Sequence, residues 1–171
     1  MLRPKEKKWI PYVIALIIFI AVMLIPPKDF RIKDGTLVTY EGGDETVTIP
    51  RTVNRIGSRA FDSTVVKTLI VRGNVKKIDE GAFAYSKITT FVFKEGVKDI
   101  NENALRNTSP LDIFFPSTLK TGVNLDKRQD ERPVYVHIVE DSFIDKYYKD
   151  NPPKTKVVIK YDYTERVKKY D

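Results

Sequence analysis

Val47-Thr48-Ile49, Leu69-Ile70-Val71, Phe91-Val92-Phe93 and Ile113-Phe114-Phe115 stand 22 residues apart. Val53, Val75, Val97 and Leu119 follow at the same step, then Ile56, Ile78 and Ile100, where the fourth copy breaks down at Gly122. Ala60-Phe61, Ala82-Phe83 and Ala104-Leu105 continue each unit, and Thr64, Ser86 and Thr108 close it. Three full copies and a degraded fourth, without gaps, define an internal repeat, and a period of this length is the mark of a solenoid. Each unit offers a short strand with two inward apolar residues, a turn, a second short rung and an Ala-Phe pair. One unit cannot bury its apolar face alone. Stacking gives neighbours shared strand hydrogen bonds and a continuous core.

The pattern Val-x-Ile-Pro-x-x-Val-x-x-Ile-Gly-x-x-Ala-Phe at residues 47–61 resembles the bacterial surface-antigen (BspA-like) type of leucine-rich repeat. The second copy keeps Ile78 and Ala82-Phe83 with Arg72 and Asp79 in place of Pro and Gly; the third has Lys94, Asn101 and Ala104-Leu105. The resemblance covers about residues 44–120. It implies a curved, parallel-stranded solenoid displayed at a bacterial or parasite surface and used for binding, not catalysis. The family often has Cys where this chain has Thr64, Ser86 and Thr108.

The start of the chain is a different material. Residues 1–8 hold the cations Arg3, Lys5, Lys7 and Lys8 and the anion Glu6, and Trp9 to Pro27 carries no charge. As a helix, Trp9–Ile25 spans roughly 25 Å, close to a hydrocarbon thickness of about 30 Å. Pro11 falls in the first turn, where a missing N–H costs little, and Pro26-Pro27 ends the helix. The cationic flank stays inside and the remainder is exported. A cleaved signal peptide is the rival reading, but the apolar run is long and Ala21-Val22-Met23 is a poor cleavage site. A buried core helix is disfavoured because the segment has no polar face. The expectation is a single-pass signal anchor with a cytoplasmic N-terminus and an extracytoplasmic repeat domain.

Composition narrows the chemistry. Among 171 residues with net charge +7 there is no cysteine and a single histidine, His137. Disulfides, thiolate zinc sites, cysteine nucleophiles and multi-histidine metal cages are excluded. Beyond residue 8 the chain holds 26 basic and 22 acidic residues, a mild excess that does not argue for nucleic acid. His137 reads as an ordinary strand residue. Asp126, Asp130 and Glu131 lack the glycine and terminal glutamate of a calcium loop. Asn107-Thr108-Ser109 is a formal glycosylation sequon, accidental in a bacterium. Neither a catalytic residue, a metal nor a cofactor is expected.

The flanks read as caps. Phe30-Arg-Ile32, Asp34-Gly35 and Thr36–Tyr40 form strand, turn and strand. Val134–Val139 is a strand, Ser142 with Asp145 starts a helix over about 142–149, and Lys156–Tyr161 is a last strand. Residues 162–171 are charged and expected to fray. The expected fold is therefore a β-rich repeat solenoid of leucine-rich-repeat type, with about 3.5 to 4 repeats. An N-terminal β-hairpin cap and a C-terminal β-α-β cap close it, and one transmembrane helix precedes it. Its parts are a basic stub at 1–8, the anchor at 9–27, the N-terminal cap at 28–43, repeats at 44–131 and the C-terminal cap with tail at 132–171.

Two columns are candidate binding surfaces. Between the inward residues of each strand lies one outward residue: Thr48, Ile70, Val92 and Phe114. One reading is β-propensity with cross-strand contact, or cover by the cap. The other is a partner-binding stripe at Ile70, Val92 and Phe114, flanked by Thr68, Thr90 and Asp112 on one side and Arg72 and Lys94 on the other. The second column is basic: Lys76, Lys98 and Lys120, beside Arg55 and Lys77. It reads as a solvated turn or as a contact with an anionic envelope polymer or lipid headgroups. The function expected is non-catalytic protein–protein interaction or adhesion at the cell surface, with the protein partner unknown. The alternative is a structural subunit of an envelope complex close to the bilayer, since only about 20 residues separate the anchor from the first repeat.

Overall fold

The computed structural model describes residues 8–24, 27–129 and 132–171. The first element, α1, is Ile10–Leu24, 15 residues. At 1.5 Å per residue it is about 22 Å long, short of a hydrocarbon core of about 30 Å. No helix among the described residues is long and apolar enough to cross a membrane. The expected transmembrane span over 9–27 is therefore not shown by this helix; residues 25 and 26 lie outside the described residues.

The hairpin that follows pairs β1 (Phe30–Lys33) with β2 (Thr36–Tyr40) antiparallel. Its turn residues Asp34 and Gly35 both have positive φ, 49° and 73°, as a two-residue turn matched to strand twist requires. The coil is then built from β3 (Thr46–Thr48), β4 (Arg55–Ile56), β5 (Thr68–Val71), β6 (Lys77–Ile78), β7 (Thr90–Phe93), β8 (Asp99–Ile100), β9 (Asp112–Phe114) and β10 (Val134–His137). Helix α2 (Phe143–Asp150), strand β11 (Val157–Lys160), helix α3 (Tyr163–Arg166) and a 3-10 turn at Val167–Tyr170 complete it.

Two ladders result, parallel throughout except at the β1–β2 hairpin. The large sheet has the order β11-β10-β9-β7-β5-β3, and the small one β1-β2-β4-β6-β8. The 22-residue step is the register itself: Val47 pairs with Leu69, Leu69 with Phe91 and Phe91 with Ile113. On the small sheet Arg55 pairs with Lys77 and Lys77 with Asp99.

The ladder does not stop where the repeat pattern fades. Val136 pairs with Ile113 and Ile159 with Val136, both in parallel. The step is now 23, so β10 and β11 are two further rungs of the same coil, with α2 filling the place of the second strand. The expected C-terminal cap strands thus extend the solenoid to about six turns. The extra residue per turn breaks the 22-residue period while leaving the ladder intact.

The core runs through the coil as an unbroken column. Val47, Ile49, Val53, Ile56, Ala60 and Phe61 are buried, as are their equivalents in the next turns. Rings step along it from Tyr40 to Phe61 to Phe83 to Phe91, with centroids 5.7, 5.9 and 5.1 Å apart. Phe93 and Phe115 continue it at 5.6 Å. Alanine at 60, 82 and 104 leaves room for those rings. Ser63, Tyr85 and Asn107, again 22 apart, all adopt left-handed backbone, φ 58°, 62° and 56°. Buried Thr64 and Thr108 satisfy their hydroxyls by donating to the carbonyls of Phe61 and Leu105.

Helix α2 packs through Ile144 and Tyr148, one turn apart on a single face. Ser142 accepts from the Asp145 N–H at 3.4 Å. The Asp145 carboxylate reaches back to the Asp141 N–H at 3.0 Å, so the capping pair forms with a one-residue offset. Residues 163–170 do not fray as expected. They are helical and pack against the sheet through Tyr163, Val167 and Tyr170.

Candidate functional site

The outward face of the large sheet carries the column that the repeat predicts. Thr48 pairs with Ile70, Ile70 with Val92 and Val92 with Phe114. Three of the four are not on the surface. Val92 and Phe114 are fully buried and Ile70 is 8% exposed, because Val139, Tyr163, Val167 and Tyr170 close over them. Cover by the C-terminal segment, the quieter of the two readings, is what the structure shows. An exposed stripe at Val92 and Phe114 is corrected accordingly. The physical reason is that three apolar residues in register form a face that the chain buries against its own tail.

Polar contacts hold that cover down. The Tyr163 hydroxyl donates to the Phe93 carbonyl at 2.9 Å, and burial pushes its pKa up. Lys94 donates to the Val167 carbonyl at 3.1 Å and pairs with Asp171 at 2.5 Å. His137 is fully buried. Its Nδ1 lies 2.5 Å from Asp162 and its Nε2 3.1 Å from Asp112, while its ring stacks on Phe114 at 4.2 Å with planes 9° apart. It is a strand residue, as expected, but one that joins the sheet to the tail. The side chains of Arg166 and Lys169 reach over the Phe114 ring at 5.9 and 5.8 Å.

What stays open is the end of this face nearest β3. A groove of about 680 Å³ is lined by Thr46, Thr48, Arg51, Ile70, Arg72, Gly73, Asn74, Lys94, Lys169, Tyr170 and Asp171. Of the five expected contacts, Ile70, Arg72 and Lys94 meet here; Val92 and Phe114 do not. Arg51, Lys169 and Tyr170 belong to the site and were not anticipated. The tail's signal was the spacing Tyr163, Val167, Tyr170, an i, i+4, i+7 apolar stripe inside a charged segment.

The basic column is present, with Lys76, Lys98 and Lys120 exposed. Lys76 is partly engaged, donating from Nζ to the carbonyls of Gly73 and Gly96. Beside it the charges alternate in sign, with Arg55 bound to Asp79 at 2.8 Å and Arg106 to Glu80 at 3.2 Å. This side of the molecule therefore lacks the uniform field of a polyanion track.

Asp126 accepts from the backbone N–H groups of Lys154 and Thr155 at 2.8 and 3.1 Å; Asp130 and Glu131 lie outside the described residues. Among the described residues no cluster of three or more His, Cys, Asp or Glu could hold a metal ion.

Fold and site together describe a leucine-rich-repeat type coil with a partly covered sheet face. Residues 43–124 match the family described as BspA type leucine rich repeat region, in six copies, which supports the resemblance carried by the repeats and exceeds the four copies visible at fixed spacing. Such repeats point to protein–protein interaction or adhesion, and a solenoid of this kind is typically a non-enzymatic interaction fold. Comparison with curated proteins and with solved structures gives no match.

Proposed function

We propose that the chain is a membrane-anchored, extracytoplasmic leucine-rich-repeat protein that binds a protein partner without catalysis. The observation that carries the binding reading is the groove beside β3, where the tail leaves Thr46 and Thr48 uncovered within a rigid, stacked frame. Anchoring is supported by α1. Its side chains from Tyr12 to Ile20 are exposed, Phe19 at 60%, and none belongs to either apolar cluster of the repeat domain. Apolar surface of that extent calls for a non-aqueous neighbour, and the cations before it orient the N-terminus toward the cytoplasm.

The short run from residue 28 to the first repeat favours action near the bilayer. A scaffolding role in an envelope complex is then the form of binding best supported, ahead of adhesion across a thick wall. The test is photo-crosslinking in intact cells from positions 72 and 98, combined with fractionation and added protease. A protein adduct from either position, membrane recovery that requires residues 9–24, and digestion of the repeats from outside are the expected results. Recovery of the full chain in the soluble fraction, or protection from external protease, overturns the anchored topology.

A further inference from the structure

The groove beside β3 has features that together specify what enters it. The first is a free strand edge. β3 ends the large sheet. Its ladder to β5 uses the Glu45 carbonyl and the Ile49 N–H. Since main-chain groups of alternate residues in a parallel strand face the same side, those of Thr46 and Thr48 point away from β5. Among the described residues no strand lies beyond them.

The second is charge. Arg51, Arg72, Lys94 and Lys169 line the groove against a single acidic side chain, Asp171. That acid is already paired with Lys94. Arg51 and Arg72 are exposed and form no ion pair among the described residues. Such a rim favours a negative occupant and raises its encounter rate.

We propose that the β3 edge beside this groove binds an extended acidic segment of a partner protein, which adds to that edge as a strand with its carboxylates turned toward Arg51 and Arg72. This deepens the protein-binding reading and rests on it. Main-chain hydrogen bonds to Thr46 and Thr48 fix the segment's direction, and the arginines select its charge. Three residues of strand offer few hydrogen bonds, so affinity depends on the rim and falls with salt.

The probe is a fluorescein-labelled octapeptide alternating Glu with Val and Thr, titrated by anisotropy against the full chain in a non-ionic detergent. It should bind with micromolar affinity that weakens as ionic strength rises. R51E/R72E should lose at least about tenfold, while K98E, on the other side, leaves binding unchanged. A peptide N-methylated at alternate backbone nitrogens should also lose at least about tenfold, because it cannot pair with the edge. Thermal melting of R51E/R72E controls for folding. No binding of the octapeptide, equal binding by R51E/R72E, or equal binding of the N-methylated form overturns the proposal. If the octapeptide fails while crosslinking from position 98 still captures a protein, the acidic-strand groove falls and the protein-binding module stands. If neither position yields an adduct, the module reading falls with it.

Discussion

The Tyr163 hydroxyl donates to the Phe93 carbonyl across 70 residues of sequence, at 2.9 Å. This bond ties the tail to the third coil of the repeat. Burial first, and then the negative charge of Glu95, raise the Tyr163 pKa above the ordinary value of 10.0. A raised pKa means that the folded state favours the neutral phenol. Its contribution is fully present below pH 10 and is lost as pH climbs through the raised value. Tail attachment, read by limited proteolysis near residue 162, should hold through neutral pH and fail under strong alkali. Y163F keeps the ring but leaves the carbonyl unpaired, costing about 1–3 kcal/mol. It should also flatten the alkaline loss; a steep loss in Y163F would assign the effect to another group.

Removing residues 162–171 should uncover Val92 and Phe114. Re-exposing each forfeits about 2 kcal/mol. Freeing the tail backbone returns about 1–2 kcal/mol of entropy per residue, so much of the loss is offset and the melting temperature shifts modestly. Dye binding is the sensitive readout. An environment-sensitive apolar dye should brighten several-fold on the truncated chain, and an unchanged signal would mean that the sheet face finds other cover.

His137→Phe preserves the stack on Phe114 but removes the ring nitrogens that face Asp112 and Asp162. It should destabilise the domain by about 2 kcal/mol, since hydrogen bonds to charged groups are lost in a buried setting. The unfolding midpoint in urea measures this. A neutral result would show that shape alone matters at the position.

These contacts mark where the sequence was readable and where it was not. The register of β3, β5, β7 and β9 is the 22-residue spacing and nothing else, so Val47, Leu69, Phe91 and Ile113 could be paired from the chain alone. β10 and β11 were read as strands but not as rungs, because a step of 23 breaks a fixed period while leaving the ladder intact. At the site, Ile70, Arg72 and Lys94 follow from repeat position. At Val92 and Phe114 repeat position leaves an open stripe and a covered one equally legible, because the cover comes from Tyr163, Val167 and Tyr170, far along the chain. Long-range docking of a short helix leaves only a weak local trace.

Asp145 is a second anchor, on α2. Burial works to raise its pKa, but hydrogen bonds from Lys149, the Asp141 N–H and Tyr161 outweigh it and hold the carboxyl below its ordinary value. A depressed pKa contributes stability above the unfolded value of 3.8, lost as pH falls through the lower, folded one. D145N should cost about 2 kcal/mol at neutral pH. The difference from wild type should shrink under acid below pH 3.8. Unfolding midpoints at neutral and acid pH check both; an unchanging difference would mean that the carboxylate charge is not involved.

Gly73 and Gly96 lie where successive coils touch. A Cβ on Gly73 would stand 1.8 Å from the Glu95 carbonyl oxygen, and one on Gly96 would stand 2.6 Å from that of Gly73. These neighbours are backbone, which cannot swing aside as a side chain can. Gly96 also has φ of +103°, a region that other residues enter only under strain. G73A and G96A should each lower stability by about 3 kcal/mol or more, from overpacking and, at Gly96, backbone strain. Gly43 provides the contrast, since a Cβ there meets nothing within 4 Å and G43A should be nearly neutral. Because Gly73 also lines the groove, G73A should weaken the octapeptide as the coils shift, whereas G43A should not. Urea titration of the three variants decides it: equal costs at all three positions would mean that loss of glycine, rather than contact between coils, sets the penalty.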